Sequence, residues 1–178
     1  GIIDDEPGGS VMRGGAALAT DGELLAEAVF SCSQTFDEKD VPEQERCLIL
    51  RPAQFYLLNQ TTKVLNRDWL GAGSYSDGKL DKIAGIKILM SNHLPKANIT
   101  AAVDGEKNTY FGDFTNTLGL CMQSNAIATV KLKDLTVQQS GHDFNIVYQS
   151  TLMVAKYAMG HGILNPSFAI ELSTAAKA

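Results

Sequence analysis

The sequence predicts an α+β fold, and three patterns carry that prediction. Leu24, Leu25, Ala28, Val29, Cys32 and Phe36 recur at three- and four-residue steps, the period of an amphipathic helix. Cys47-Leu-Ile-Leu50 and the stretch Leu118 to Met122 are short apolar runs of strand length. Val130 and Leu132 alternate with Lys131 and Lys133, the period of a half-buried strand.

Taken in order, Gly1 to Gly15 is rich in glycine and acid and reads as an exposed lead-in. Asp4-Asp5-Glu6 within it could attract a cation, but a flexible acidic end explains it as well. Thr20-Asp-Gly-Glu23 has the form of a capping box, the threonine hydroxyl accepting from the third-residue amide while the glutamate reaches back. The helix it opens should stop before Pro42, whose ring disfavours helical geometry in the residue before it. Cys47 to Leu50 follows as a buried strand. Pro52 suits the first turn of a second helix over Ala53 to Leu58, where a missing amide costs nothing. Asn66 to Lys79 is loop, with three glycines and Trp69. Lys82 to Met90 reads as a strand, and Asp104-Gly105 marks a turn before the strand Leu118 to Met122.

The last third reads as two long antiparallel strands joined by the polar turn Ser140 to Asn145, then a third strand. Parity slips at Asp134, where a β-bulge would return Leu135 and Val137 to the face of Val130 and Leu132. Phe144, Ile146 and Tyr148 alternate on the way back. Gly160 and Gly162 loosen the chain, Asn165-Pro166 turns it, and Phe168 to Leu172 ends as a short strand. This limb presents an apolar face bearing Val130, Leu132, Ile146 and Val154.

Composition is that of an ordinary packed domain, with 44% apolar and 20% charged residues. No apolar run approaches the ~20 residues that span a membrane. Fifteen basic against twenty acidic residues give a net charge of −5, which speaks against the basic footprint of a dedicated nucleic-acid binder. Cys32, Cys47 and Cys121 are odd in number and widely spaced, so they build neither a zinc site nor a disulfide framework. They read as buried thiols in a reducing compartment.

No residue reads as catalytic, and no cofactor or metal is expected. Gly73-Ser-Tyr-Ser-Asp-Gly-Lys79 satisfies G-x-x-x-x-G-K, but Leu80 stands where a phosphate loop needs a magnesium-binding hydroxyl. Asp77 would also set a negative charge against the phosphates. A surface loop is the simpler reading. His93, His142 and His161 fall in three separate turns with no metal-ligand spacing. Trp69 could anchor an interface or be buried in its own domain.

Two blocks also carry a resemblance. Ala128-Thr-Val-Lys-Leu-Lys-Asp-Leu135 with Ala155-Lys-Tyr-Ala-Met-Gly-His-Gly162 is similar to the C-terminal signature of major capsid proteins of short-tailed, podovirus-type bacteriophages. Val64-Leu-Asn-Arg-Asp-Trp69 through Gly85-Ile-Lys-Ile-Leu-Met-Ser-Asn-His-Leu-Pro95 resembles the middle of the same proteins. The match runs in order from about Leu24 to Leu172. Relatives carry an N-terminal arm, an extended hairpin and a spine helix that have no counterpart in this sequence.

The resemblance implies the tailed-phage capsid fold: a flexible lead-in (1–13), an axial domain (14–128) and a peripheral limb of long antiparallel strands (129–178). It implies a non-enzymatic shell subunit that assembles into pentamers and hexamers around DNA, without reading the DNA's sequence. Scaffolding and portal proteins would be partners, the host cytoplasm the place of assembly and the virion the destination. Asn66, Arg67, Asp68, Trp69, Gly73 and Tyr75 would lie toward the capsomer axis. Ser140, Gly141, His142, Asp143 and Asn145 would lie where capsomers meet. A bacterial nanocompartment shell shares the architecture, and a nucleotide-dependent enzyme using the Gly73 loop is the alternative from another class.

Overall fold

The computed structural model describes residues 2–6, 9–61, 82–102 and 111–175, with backbone only for 2–6. They fold into two units, residues 1–126 with 165–178 and residues Ile127–Leu164. The first contains β1 (Ile2–Glu6), β2 (Gly9–Arg13), α1 (Gly22–Glu38), β3 (Arg46–Leu50), α2 (Pro52–Asn59), β4 (Lys82–Ile83) and β5 (Ile86–Met90). It continues with β6 (Asn98–Ile99), β7 (Gly112–Asp113) and β8 (Thr117–Gln123). The second contains β9 (Ile127–Gln139), α3 (His142–Tyr148) and β10 (Met153–Ile163), after which β11 (Ala169–Ser173) returns to the first.

Seven of these strands form one mixed sheet in the order β1-β2-β11-β8-β3-β5-β4. Its alternation buries Met12, Leu48, Leu50, Ile86, Ile88, Cys121, Ile170 and Leu172 in one core with Leu25, Val29, Cys32 and Phe36 of α1. Each such side chain contributes about 1.5–3 kcal/mol when fully buried, so this layer holds the unit together.

Helix α1 begins one residue later than a capping box would place it. Asp21 is the cap, accepting from the Glu23 amide at 2.8 Å. The Thr20 hydroxyl instead donates to the Ala17 carbonyl of the preceding 3₁₀ turn at 3.3 Å. The helix ends ahead of Pro42 as expected, with Asp40 in the left-handed region (φ 53°) breaking the path. Arg46 then ties this corner to the sheet. It is 5% exposed, donates to the Pro42 carbonyl (3.1 Å), the Val41 carbonyl and Asp37 (2.8 Å), and lies over the Phe36 ring.

Several expectations are corrected. The lead-in is not loose, since Ile2–Glu6 and Gly9–Arg13 are both strands of the sheet. Gly9–Arg13 is β2, parallel to β11 and antiparallel to β1, with Met12 1% exposed. Its partner β11 lies at the far end of the chain, so no local pattern announces it. β11 itself was expected in the limb, but it pairs with β2 and β8 inside the sheet. The strand expected over Lys82 to Met90 is a hairpin. Ala84 (φ 49°) and Gly85 (φ 79°) both take positive φ, the pair a two-residue primed turn demands. The loop Asn66 to Lys79 and the Asp104-Gly105 turn lie outside the described residues.

In the second unit β9 and β10 pair antiparallel over nearly their whole length. β9 carries an extra residue between Lys133 and Thr136, where a bulge at Asp134 was expected, and a second between Lys131 and Lys133. The second shift reverses the parity again. Val130 opposes Gly160 and Val137 opposes Ala155, positions of opposite parity on β10, so the two valines fall on opposite faces. Gly160 and Gly162 do not loosen the chain, because both are paired within β10. The connection is not a short polar turn with a returning strand. Phe144, Ile146 and Tyr148 belong to α3, which holds the Phe144 and Tyr148 rings 4.6 Å apart at i, i+4 spacing.

Candidate assembly surface

Most residues of the ribbon β9–α3–β10 are exposed, and no residue from 127 to 164 is buried. Of the 21 large apolar side chains exposed among the described residues, 15 lie on it. Leu132 is 82% exposed, Val147 72%, and both faces and the tip share in this. A two-stranded ribbon is at best marginally stable alone in water, and apolar surface on this scale marks a place where another chain segment docks. Its polar links are slight. Thr129 Oγ1 and His161 Nδ1 are cross-strand partners 2.9 Å apart, and the exposed Lys131–Asp134 pair at 2.8 Å spans the bulged segment. An ion pair so exposed contributes little.

The residues expected at a hairpin tip are brought together. The Ser140 amide donates to the Leu152 carbonyl at 2.8 Å, and the Leu152 amide donates to the Ser140 hydroxyl at 3.1 Å, closing the loop at its base. Ser140 Oγ also donates to Asn145 Oδ1 at 2.7 Å. Gly141 is the N-cap of α3, and a β-carbon there would meet nothing within 4 Å. His142 opens the helix and Asp143 adds a negative charge to its first turn, which favours the helix dipole. Beside these polar residues stand Ile146, Val147 and Tyr148, each more than 60% exposed. The strand reading missed that they share the tip. The i, i+4 spacing of Phe144 and Tyr148, behind Gly141 and Asp143, was the available signal. Asn66, Arg67, Asp68, Trp69, Gly73 and Tyr75 lie outside the described residues, as does Lys79.

Chemically reactive groups are scattered. His161 sits within β10 and His142 at the start of α3, so neither lies in a plain turn as expected. Among the described residues no three His, Cys, Asp or Glu side chains gather to hold a metal, and no helix is long and apolar enough to cross a membrane. Cys32 and Cys121 are fully buried, while Cys47 is half-buried. A hydrogen bond with Cys32, reinforced by burial, holds the Cys121 thiol well above its ordinary pKa, and burial raises Cys47.

The model of the Gp10A-like major capsid protein family matches residues 7–173. The major capsid protein of Escherichia phage T7 is 32% identical over 99 residues, which cover 56% of this chain and 24% of that protein. That of Enterobacteria phage T3 is 44% identical over 54 residues, covering 30% and 15%. The capsid structure of cyanophage P-SCSP1u superposes with a TM-score of 0.78 at 41% identity, over 94% of this chain and 52% of that one. The mature capsid of bacteriophage PhiM1 gives 0.67 at 17% identity, a likeness of fold alone, over 92% and 50%. The matched stretches thus span a quarter or less of the T7 and T3 proteins, and the chain spans about half of the two solved capsid chains. The expected tailed-phage capsid fold is borne out, and the chain belongs to the Gp10A-like major capsid protein family.

Proposed function

We propose that this chain is the shell-forming part of a bacteriophage head subunit, one that assembles into pentamers and hexamers and closes around the DNA genome. The observation that carries the reading is the ribbon 127–164, which has no buried residue of its own and bears most of the large apolar side chains exposed among the described residues. Within the family architecture the sheet unit is the axial domain and the ribbon the peripheral limb. The segment 66–79, outside the described residues, is assigned to the capsomer axis by the family resemblance alone, and the α3 tip to the contacts between capsomers. Assembly in the host cytoplasm involves scaffolding and portal proteins. The subunit performs no catalysis.

The physics of such a shell is additive. Each contact contributes only a few kcal/mol, but every subunit makes several, and heterologous contacts close into rings when the rotation fits. A mildly acidic wall, net −5 for this chain, also leaves packaged DNA free to move. The phage-capsid family match favours this reading over a nanocompartment shell. Electron microscopy of particles formed by the full-length protein tests it, with closed icosahedral shells expected. A subunit that stays monomeric at every concentration, or that hydrolyses ATP in a manner lost on Lys79→Ala, would overturn the proposal.

A further inference from the structure

Strand pairing breaks where β8 gives way to β9 and β10 to β11. Met122 and Ala169 are the last partners of β8 and β11, and Ile127 and Ile163 the first of β9 and β10. Between them stand two 3₁₀ turns, Ser124–Ala126 and Pro166–Phe168. Among the described residues one backbone hydrogen bond crosses this break, from the Asn165 amide to the Ala126 carbonyl at 3.3 Å. The ladder that would fix the backbone here is interrupted, and side chains supply the hold.

That hold acts on the outgoing strand. Gln123, 3% exposed, donates through Nε2 to the Gln44 carbonyl and to Ser124 Oγ, each at 3.3 Å, and accepts from the Asn125 amide at 2.7 Å. Ser124 Oγ in turn donates to Glu45 Oε2 at 2.5 Å. The turn at Gln44 and Glu45 thus grips the residues from which β9 departs. On the returning strand the Asn165 side chain accepts from the Ser167 amide at 3.2 Å, a bond within its own turn. Glu45 holds its place at φ 60°, a left-handed conformation that glycine adopts freely and glutamate rarely does. Asp40 and Gln149, also left-handed, follow or end helices, and Ala84 makes a hairpin turn. Glu45 sits in a plain turn ahead of β3, where glycine would serve the backbone better. Strain kept where a relaxed residue would fit points to a use for the side chain. Lys82 and Lys87 line the same cleft as Glu45, yet its carboxylate takes the Ser124 hydroxyl.

Resting on the capsid reading above, we infer that Gln123, Ser124 and Glu45 are positioning residues for assembly: they fix the backbone at 123–126, where the ribbon begins, and shell geometry depends on that fix. The lever is long. The 13 residues of β9, at about 3.3 Å each, reach roughly 40 Å, so a tilt of about 10° at the root carries the far end about 7 Å. A displacement of that size separates contacts that must meet for a ring to close. Ser124 and Glu45 are themselves exposed, and a hydrogen bond open to water adds little to stability. Its loss therefore shows in assembly and not in the melting of the subunit.

Ser124→Ala and Glu45→Gly are made in the full-length protein and compared with wild type in three ways: melting of unassembled subunits, hydrogen exchange across 123–126, and electron microscopy of shells. Glu45→Gly is the decisive variant, since it removes the carboxylate while relieving the backbone. Its melting temperature should equal or exceed that of wild type. Exchange across 123–126 should quicken at least about fivefold, and the yield of uniform closed shells should fall by a similar factor. Ser124→Ala should change exchange and shells in the same way, and Ser124→Thr, which keeps the hydroxyl, should restore both. Normal shells from Glu45→Gly and Ser124→Ala overturn the inference and leave the capsid reading standing, as does unchanged exchange. Lost shells with a lowered melting temperature in both variants overturn it too, because the bond then serves the fold. Wild-type protein that forms no shells overturns the capsid reading and this inference with it.

Discussion

Replacing Gly119 with alanine tests the packing of the sheet at its most crowded point. Gly119 lies in β8 between Leu50 of β3 and Leu172 of β11. A β-carbon added there would stand 2.7 Å from Leu50 Cδ2 and 2.8 Å from the Ile49 carbonyl oxygen. Leu50 can rotate away at some cost, but the carbonyl belongs to the backbone of the neighbouring strand and moves only if the ladder moves. Overpacking of this kind costs about 1–3 kcal/mol. The stiffer unfolded chain returns about 0.4–1 kcal/mol, so a net loss of roughly 1.5 kcal/mol is expected. Gly160→Ala in β10 is the matched control, since a β-carbon there meets nothing within 4 Å. It should change stability by less than about 0.5 kcal/mol. Urea unfolding of the unassembled subunit reads both: with a slope near 2 kcal/mol/M, Gly119→Ala should lower the midpoint by about 0.7 M. Equal midpoints for the two variants would refute the reasoning, as would an undamaged Gly119→Ala.

Arg46→Ala should cost about 2 kcal/mol, because it strips the buried carbonyl of Val41 and the part-buried carbonyl of Pro42 of their donor. Asp37→Asn should cost under about 1 kcal/mol, since Asp37 is 60% exposed; equal losses in a denaturation series would contradict this assignment. The raised Cys121 thiol makes stability pH-dependent in one direction. The folded state holds this proton where the unfolded chain gives it up, so stability is full below an ordinary thiol pKa of about 8.5 and declines as pH rises above it. Cys121→Ala should flatten that alkaline decline in unfolding measurements, and an unchanged slope would assign it elsewhere. Gly141→Glu should fold normally, since its side chain enters open space at an N-terminus that favours a carboxylate. Beside Asp143 at contacts between capsomers, it should weaken each association about fivefold, roughly 1 kcal/mol, and leave capsomers but few closed shells by microscopy. Normal shell yield, or a lost fold, would sink that placement.

The sequence by itself determined the elements whose signals are local. The periodic spacing from Leu25 to Phe36, the stop before Pro42, Pro52 at a helix start and the apolar runs Cys47–Leu50 and Leu118–Met122 all appear where expected. A bulge beside Asp134 was legible from one slip of parity. What only the tertiary structure decided is non-local. Gly9–Arg13 is a strand because β11 lies beside it, and β11 belongs to the sheet because β8 does. Neither partner can be read from neighbouring residues. The segment from Phe144 to Tyr148 satisfies both a strand's alternation and a helix's i, i+4 spacing, and a five-residue window cannot choose between them. The second bulge in β9 follows from the register against β10, which a single strand does not contain. Register is a relation between distant residues, and it alone set which side chains share a face, and so which surfaces the protein leaves open.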